Sequence, residues 1–127
     1  LDVIMRTIFG VGDGPELEVA GELPQALPRC TCPFCARRGA LYAYYEPKQV
    51  RVKATDASDR IYRWNSRLVA HHFCGTCGCA TYTDSPDFQM DGTWDGETRR
   101  FAVNARLFDD FDAEDWPHTV IDGKNLW

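Results

Sequence analysis

Three cysteines fall within six consecutive residues, Cys30-Thr31-Cys32-Pro33-Phe34-Cys35, and three more within another six, Cys74-Gly75-Thr76-Cys77-Gly78-Cys79. Sulfurs this close along a chain chelate a metal more readily than they bridge distant loops, because little chain ordering is needed to bring them together. The first run, Cys-x-Cys-x-x-Cys, can aim three soft ligands at one ion. Zinc suits them, since it accepts thiolates in tetrahedral geometry without redox demands; iron is the other ion that cysteines alone allow. If Cys35 lies on the first turn of a helix, the backbone amides and dipole there favour its thiolate. Merely reduced or buried thiols are the alternative reading of the same run.

Cys74-Gly75-Thr76-Cys77-Gly78 has the form of a zinc knuckle, with Gly75 and Gly78 letting the backbone turn so that both sulfurs point inward. A knuckle is half a site, and only Cys79 or a member of the first run is on hand to extend it. The alternative is a vestigial or disulfide-prone pair at a hairpin turn. His71 and His72 precede the knuckle on a predicted strand, where neighbours point to opposite faces, so at most one faces a given site. Packed or surface positions suit both. Arg37 and Arg38 follow Cys35, and a tris-thiolate zinc carries one net negative charge, so an anionic substrate would need such a cation beside it. A solvated surface position is the plainer role for either. Phe34, Tyr42 and Tyr44 either wall a pocket beside the metal or pack into the core.

Short strands separated by turns must position these residues. Alternation puts Leu17 and Val19 on one face of Glu16 to Ala20, and Val50 and Val52 on one face of Gln49 to Lys53. Further strands are expected over 41–45, 60–64, 69–73, 80–83 and 101–105, all rich in aromatic or β-branched residues. Turns or loops are expected over 12–15, 24–28, 56–59, 84–87 and 91–96. A short helix is predicted over 33–38, with Pro33 at a first helical position and Gly39 as its stop, and a helical turn near 112–116. No internal repeat is visible. The fold class is all-β with minor helix.

The chain's 127 residues fit one domain spanning 1–127 with a real core. Residues Leu1 to Ile4 precede a methionine and read as vector-derived, irregular, or the remnant of a longer start. A net charge of -5, with acids gathered at Asp109, Asp110, Asp112, Glu114 and Asp115, argues against a nucleic-acid or anionic-membrane surface. That acidic run reads as a solvated face. No apolar stretch approaches the roughly 20 residues a membrane helix needs, and no basic region followed by an apolar one opens the chain. Clustered cysteines without an export signal point to a reducing, cytoplasmic setting.

The order and separation of Cys30 to Ala40, of His71-His72-Phe73-Cys74-Gly75-Thr76-Cys77-Gly78, and of Phe101-Ala102-Val103-Asn104-Ala105-Arg106 resemble the glutathione-dependent formaldehyde-activating enzymes and the related centromere protein V domains. The ending Asp122-Gly123-Lys124-Asn125-Leu126-Trp127 is similar too, so the resemblance covers nearly the whole chain. It implies an Mss4-like fold of twisted antiparallel sheets and an open, catalytic-type zinc on Cys30, Cys32 and Cys35. It also implies carbon-sulfur lyase chemistry, in which glutathione and formaldehyde combine reversibly to S-hydroxymethylglutathione. The family usually carries an earlier Cys-x-Cys-Gly that joins the knuckle in a structural zinc site; here Phe9-Gly10-Val11-Gly12 stands in that place, with apolar residues for both cysteines. One zinc ion is therefore expected, with Cys74, Cys77 and Cys79 as secondary candidates.

Two functions from different classes follow. In the first, Cys30, Cys32 and Cys35 form the catalytic metal site of a zinc enzyme whose partner is a small thiol such as glutathione, with Arg37 or Arg38 receiving its carboxylate. In the second, the metal only organises a protein-binding module with an exposed aromatic surface, as a closed site of the first run plus Cys79 would indicate.

Overall fold

A computed structural model describes residues 3–8, 14–64, 66–89, 91–109 and 111–126, with the backbone alone at 3–8 and 126. Ten strands and two short helices are present among them: β1 (Val3–Ile8), β2 (Glu16–Gly21), β3 (Leu27–Cys30), α1 (Pro33–Arg38), β4 (Tyr42–Tyr45), β5 (Val50–Lys53), β6 (Asp59–Tyr62), β7 (Ala70–Cys74), β8 (Ala80–Pro86), β9 (Arg99–Asn104), β10 (His118–Ile121) and α2 (Gly123–Leu126). They form a three-stranded sheet in the order β1-β2-β5, a five-stranded sheet in the order β4-β9-β8-β7-β6, and a two-stranded β10-β3 pair. All pairings are antiparallel except that of β10 with β3. The fold is all-β with minor helix, as the composition and alternation predict.

The alternation sets the core. Leu17 and Val19 on β2 are fully buried, and Val50 and Val52 of β5 pack against the same cluster. From the larger sheet, Ala43, Tyr45, Tyr82 and Val103 join them with Leu27, Leu41 and Phe108. Each large side chain so buried contributes roughly 1.5–3 kcal/mol relative to exposure. Asn104 pins three chain segments at the edge of this core: its Oδ1 accepts from the amides of Leu41 (3.3 Å) and Arg106 (3.2 Å), and its Nδ2 donates to the Ala80 carbonyl (2.9 Å).

Several boundaries differ from expectation. The stretch 24–28 is no simple loop, because Leu27 and Pro28 open β3. Leu27 and Thr31 both donate to the β10 side, at Pro117 and Ile121, so Pro28 falls on the opposite edge, where its missing N–H costs nothing. Strand β8 runs on through Asp84, Ser85 and Pro86, which pair with Phe101, Arg100 and Arg99. The helical turn near 112–116 is a non-helical turn, and α2 is an unforeseen helix. Val3 and Ile4 are not irregular: they pair with Gly21 and Ala20 in β1. The stretch from Phe9 to Gly12 lies outside the described residues.

Candidate metal centre

The first cysteine run sits where β3 ends and α1 begins. Cys30 closes the parallel pair opposite Ile121, and the Thr31 amide donates to the Ile121 carbonyl at 2.9 Å. The Thr31 hydroxyl accepts from the Lys124 amide at the start of α2 (3.2 Å), a second tie to the C-terminal segment. Cys32 is the N-cap of α1, its sulfur accepting from the Cys35 amide at 3.3 Å, and Pro33 takes the first helical position as predicted. Gly39 ends the helix in the left-handed region at φ 70°, its amide donating to the Cys35 carbonyl. Arg106 Nε donates to the Gly39 carbonyl at 2.7 Å, so both ends of the helix are tied to the rest of the fold. Arg106 also pairs with Glu114 at 2.8 Å, and Glu114 reaches Arg29 at 3.3 Å. That carboxylate, held below its usual range by Arg106 and Arg29, is thus no merely solvated member of the acidic run.

These constraints bring the sulfurs of Cys30, Cys32 and Cys35 within 4.8 Å of one another. Tetrahedral zinc with bonds of about 2.3 Å separates its sulfurs by about 3.8 Å, so modest side-chain adjustment suffices to hold the ion. Burial pushes the Cys30 and Cys35 thiols up, and the crowding of neighbouring sulfurs adds to it, further at Cys35. The expectation that the helix terminus favours the Cys35 thiolate fails, because burial outweighs it and the Cys35 amide is spent on Cys32. Crowded thiols, two of which resist ionisation, fit a cation among them, which would offset both penalties at once. Among the described residues no fourth histidine, cysteine or carboxylate joins this group, so the closed arrangement with Cys79 does not form.

The second run behaves differently. It forms the hairpin between β7 and β8, closed by the Cys74 amide on the Cys79 carbonyl (2.9 Å) and the Gly78 amide on the Cys74 carbonyl (2.8 Å), with Gly78 at φ 82°. Cys74 is buried, whereas Cys77 and Cys79 are exposed, and the three do not gather as a ligand group among the described residues. Burial pushes the Cys74 thiol up, yet the amides of Cys77 and Thr76 outweigh it and hold the thiol below its usual range. Half of a knuckle is therefore present. Among the described residues, which include all six cysteines, there is no disulfide.

His71 and His72 point to opposite faces of the five-stranded sheet, as neighbours on a strand must. His72 is buried on the core side, stacked on Tyr82 at 4.0 Å with Nδ1 2.8 Å from Asp59, whose other oxygen accepts from the Tyr82 hydroxyl at 3.4 Å. His71 faces α1, with its ring 4.6 Å from that of Phe34. Phe34 also meets Trp64 at 5.3 Å and Tyr62 at 6.0 Å, and the Arg38 guanidinium lies 4.9 Å over its ring. Arg37 instead donates to the Pro33 carbonyl of its own helix at 3.2 Å and is exposed. Tyr42 and Tyr44 turn away from the face of β4 on which Ala43 and Tyr45 are buried in the core. Burial raises both phenols, and the nearby Cys35 raises them further; Tyr44 also feels Cys30 and the opposing charge of Arg100, whose guanidinium lies 4.5 Å over its ring. None of Phe34, Tyr42 and Tyr44 belongs to the buried core cluster, so core packing is not their role.

No family profile matches the chain, and no curated protein matches it. Among solved structures, a Rhodobacter sphaeroides protein determined as a structural genomics target is similar over 91% of this chain and 98% of its own length, at 26% identity and a TM-score of 0.69. The whole β architecture around the three sulfurs thus has a counterpart in an experimentally determined protein.

Proposed function

We propose that this protein is a zinc-dependent enzyme of the glutathione-dependent formaldehyde-activating type, with an Mss4-like fold, that forms and cleaves a carbon–sulfur bond between a small thiol and a small carbonyl compound in a reducing compartment. The observation that carries the reading is a group of three sulfurs, one buried and two partly buried, with no fourth protein donor among the described residues. Structural zinc sites are closed by four protein ligands, whereas catalytic ones keep a position for substrate. Cys30, Cys32 and Cys35 would hold the ion, which when bound supplies a Lewis-acid centre that keeps an incoming thiol deprotonated near neutral pH.

The chain's own residues do the rest. Attack of the substrate thiolate on the carbonyl carbon makes the C–S bond and moves the C=O electron pair to oxygen, which takes a proton from solvent to give the hydroxymethyl thioether; the reverse step returns both reactants. The phenols of Tyr42 and Tyr44, protonated at neutral pH and raised further by burial, would serve as hydrogen-bond donors to that oxygen. Phe34 with Trp64 and Tyr62 limits water on one side.

A second reading, a metal-organised protein-binding module, is favoured by one observation: Ile61, Tyr62, Trp64 and Leu68 are 39–49% exposed in one stretch of chain. Cobalt substitution separates the two. Visible spectra that change on addition of glutathione mean an exchangeable ligand position and support the enzyme; spectra of a closed tetrathiolate, indifferent to thiols, support the module.

A further inference from the structure

Strand β6 ends the five-stranded sheet, and its outer side is open. The Gly75 amide donates to the Ser58 carbonyl at 2.9 Å, which makes these two a hydrogen-bonded pair one step before the partners Asp59 and Cys74. Such pairs alternate along an antiparallel ladder, so Arg60 and Tyr62 spend their backbone groups on β7, while Asp59 and Ile61 turn theirs outward. The Asp59 amide follows that direction, since it donates to the Thr55 carbonyl at 2.9 Å instead of to β7. Among the described residues, the N–H and C=O of Ile61 have no partner.

Native sheets normally blunt such edges, because a row of unpaired donors and acceptors is a template for another strand. Edge strand β5 presents only Arg51 and Lys53 to solvent, like charges that repel a second copy of the same strand. Strand β6 does the opposite. It shows Ile61 on the face of its ladder partner His72 and Tyr62 on the face of His71, each about half exposed, and Trp64 and Leu68 continue the apolar surface beyond its end. The run Asp59-Arg60-Ile61-Tyr62-Arg63 is also complementary to itself when reversed. With Ile61 opposite Ile61 of an antiparallel second copy, Arg60 faces Tyr62, a cation against a ring, and Asp59 faces Arg63, an acid against a base. The Asp59 carboxylate already holds His72, yet it still offers Arg63 an opposite charge across the seam. Neither arginine has a carboxylate partner among the described residues, and Arg63 donates only to the Arg67 carbonyl. In this register the outward N–H and C=O of Ile61 bond reciprocally. The next register in one direction sets Arg60 against Arg60, and in the other it takes Asp59 away from Arg63.

We propose that β6 is a homodimerisation edge, at which two copies of the chain pair antiparallel about Ile61 and join their five-stranded sheets across a two-fold axis. The proposal rests on neither function above, and it gives the apolar stretch that favours the binding module a different occupant, the same stretch of a second copy. A short edge strand and its flanking aromatics are small beside the roughly 1,200–2,000 Å² of stable interfaces, so the dimer is a dissociating one, with a dissociation constant on the order of micromolar.

Sedimentation equilibrium and amide hydrogen exchange test this on the zinc-loaded chain, in reductant that keeps the exposed Cys77 and Cys79 from cross-linking copies. A monomer–dimer equilibrium is expected, and exchange of the Ile61 amide should slow as protein concentration rises. Ile61→Lys sets like charges opposite each other and should weaken the dimer at least about tenfold. Arg60→Ala removes both cation–ring contacts and should weaken it about fivefold. A chain that is still monomeric at about 200 µM overturns the proposal and returns the apolar stretch to a foreign partner. A dimer that survives Ile61→Lys, or one whose Ile61 amide exchanges at the same rate at every concentration, forms through another surface and overturns it too. The exchange measurement needs only the wild-type chain, so it decides the question even where a variant fails to fold.

Discussion

The two cysteine runs have the same number of sulfurs in the same length of chain and differ in what the fold does with them. The first lies at a junction of elements fixed by distant partners: β10 through Ile121, α2 through Lys124, and Arg106 at the far end of α1. Its three sulfurs converge. The second lies on a local hairpin whose closing bonds come from its own residues, apart from the Gly75 amide on the Ser58 carbonyl, and its sulfurs diverge from the buried Cys74 to the exposed Cys77 and Cys79. Spacing brings sulfurs near one another, but long-range hydrogen bonds decide whether they face a common point.

Removing one sulfur from each run is the sharpest way to break the comparison. Cys32→Ser takes away a ligand and the N-cap acceptor of α1 together. Its zinc affinity should fall by more than the about 10–100-fold that outer-shell partners of a metal cost. Cys77→Ser should leave zinc content unchanged. Elemental analysis of folded protein checks both, and a Cys32 variant that keeps its zinc while the Cys77 variant loses it would reverse the assignment of the runs.

Turn glycines give the next largest difference, this time in stability. A Cβ at Gly75 would run into the Ala57 carbonyl oxygen, a backbone atom with little freedom to retreat, so Gly75→Ala should cost about 3 kcal/mol or more. Gly39 has open space around it and only its φ of 70° to object, so Gly39→Ala should cost about 1–2 kcal/mol. The knuckle hairpin is then the tighter structure although it is the poorer metal site. Chemical denaturation of both variants measures the gap.

Much of this was legible in the sequence, and the rest fails for identifiable reasons. Alternation found β2 and β5 because a half-buried strand must alternate, and Pro33 and Gly39 bracketed α1 because each has a local conformational preference. The nearness of Cys30, Cys32 and Cys35 follows from their contiguity, whereas their convergence depends on ties to β10, α2 and Arg106 that the sequence does not display. The β3–β10 pair was invisible: Pro28 disguised one strand, and its partner stands about 90 residues away, a separation carried in the Thr31–Ile121 bond. Asp84, Ser85 and Pro86 are turn formers locally, and cross-strand pairing with β9 overrides them. The different settings of Arg37 and Arg38 depend on which face of α1 meets the sheet, and Thr83 looks like any strand threonine until the ladder sets it beside His71.

Phe34 has no counterpart in the second run, and its truncation measures how far α1 depends on aromatic packing. Phe34→Ala removes ring contacts with Tyr62, Trp64 and His71 and the face under Arg38. Since these neighbours are partly exposed, the loss should be about 1–2 kcal/mol, below that of a core phenylalanine. Trp64 fluorescence should shift towards that of a solvated indole. An unchanged spectrum would mean that α1 does not cover this face in solution.

The smallest effect concerns His71, which the sheet turns towards the first run while turning His72 towards Asp59. Burial, aided by the charge of Arg38, pushes the His71 imidazole down to about 4 from its ordinary value near 6.5. With the folded value below the unfolded one, the unfolded chain binds more protons between those limits. The stability that goes with a neutral His71 is therefore complete above about pH 6.5 and is lost as the pH falls towards about 4. Partial exposure of the ring limits the loss to on the order of 1 kcal/mol. Metal-free protein is the right sample, because metal binding to thiolates is itself pH-dependent and would add a slope of its own. Melts at about pH 7 and about pH 5 should differ more in the wild type than in His71→Phe, which keeps the packing against Phe34 and has nothing to protonate. Equal differences in the two proteins would mean that water reaches the imidazole, and with it the layer beneath α1 on which the convergence of the first run and its aromatic wall depend.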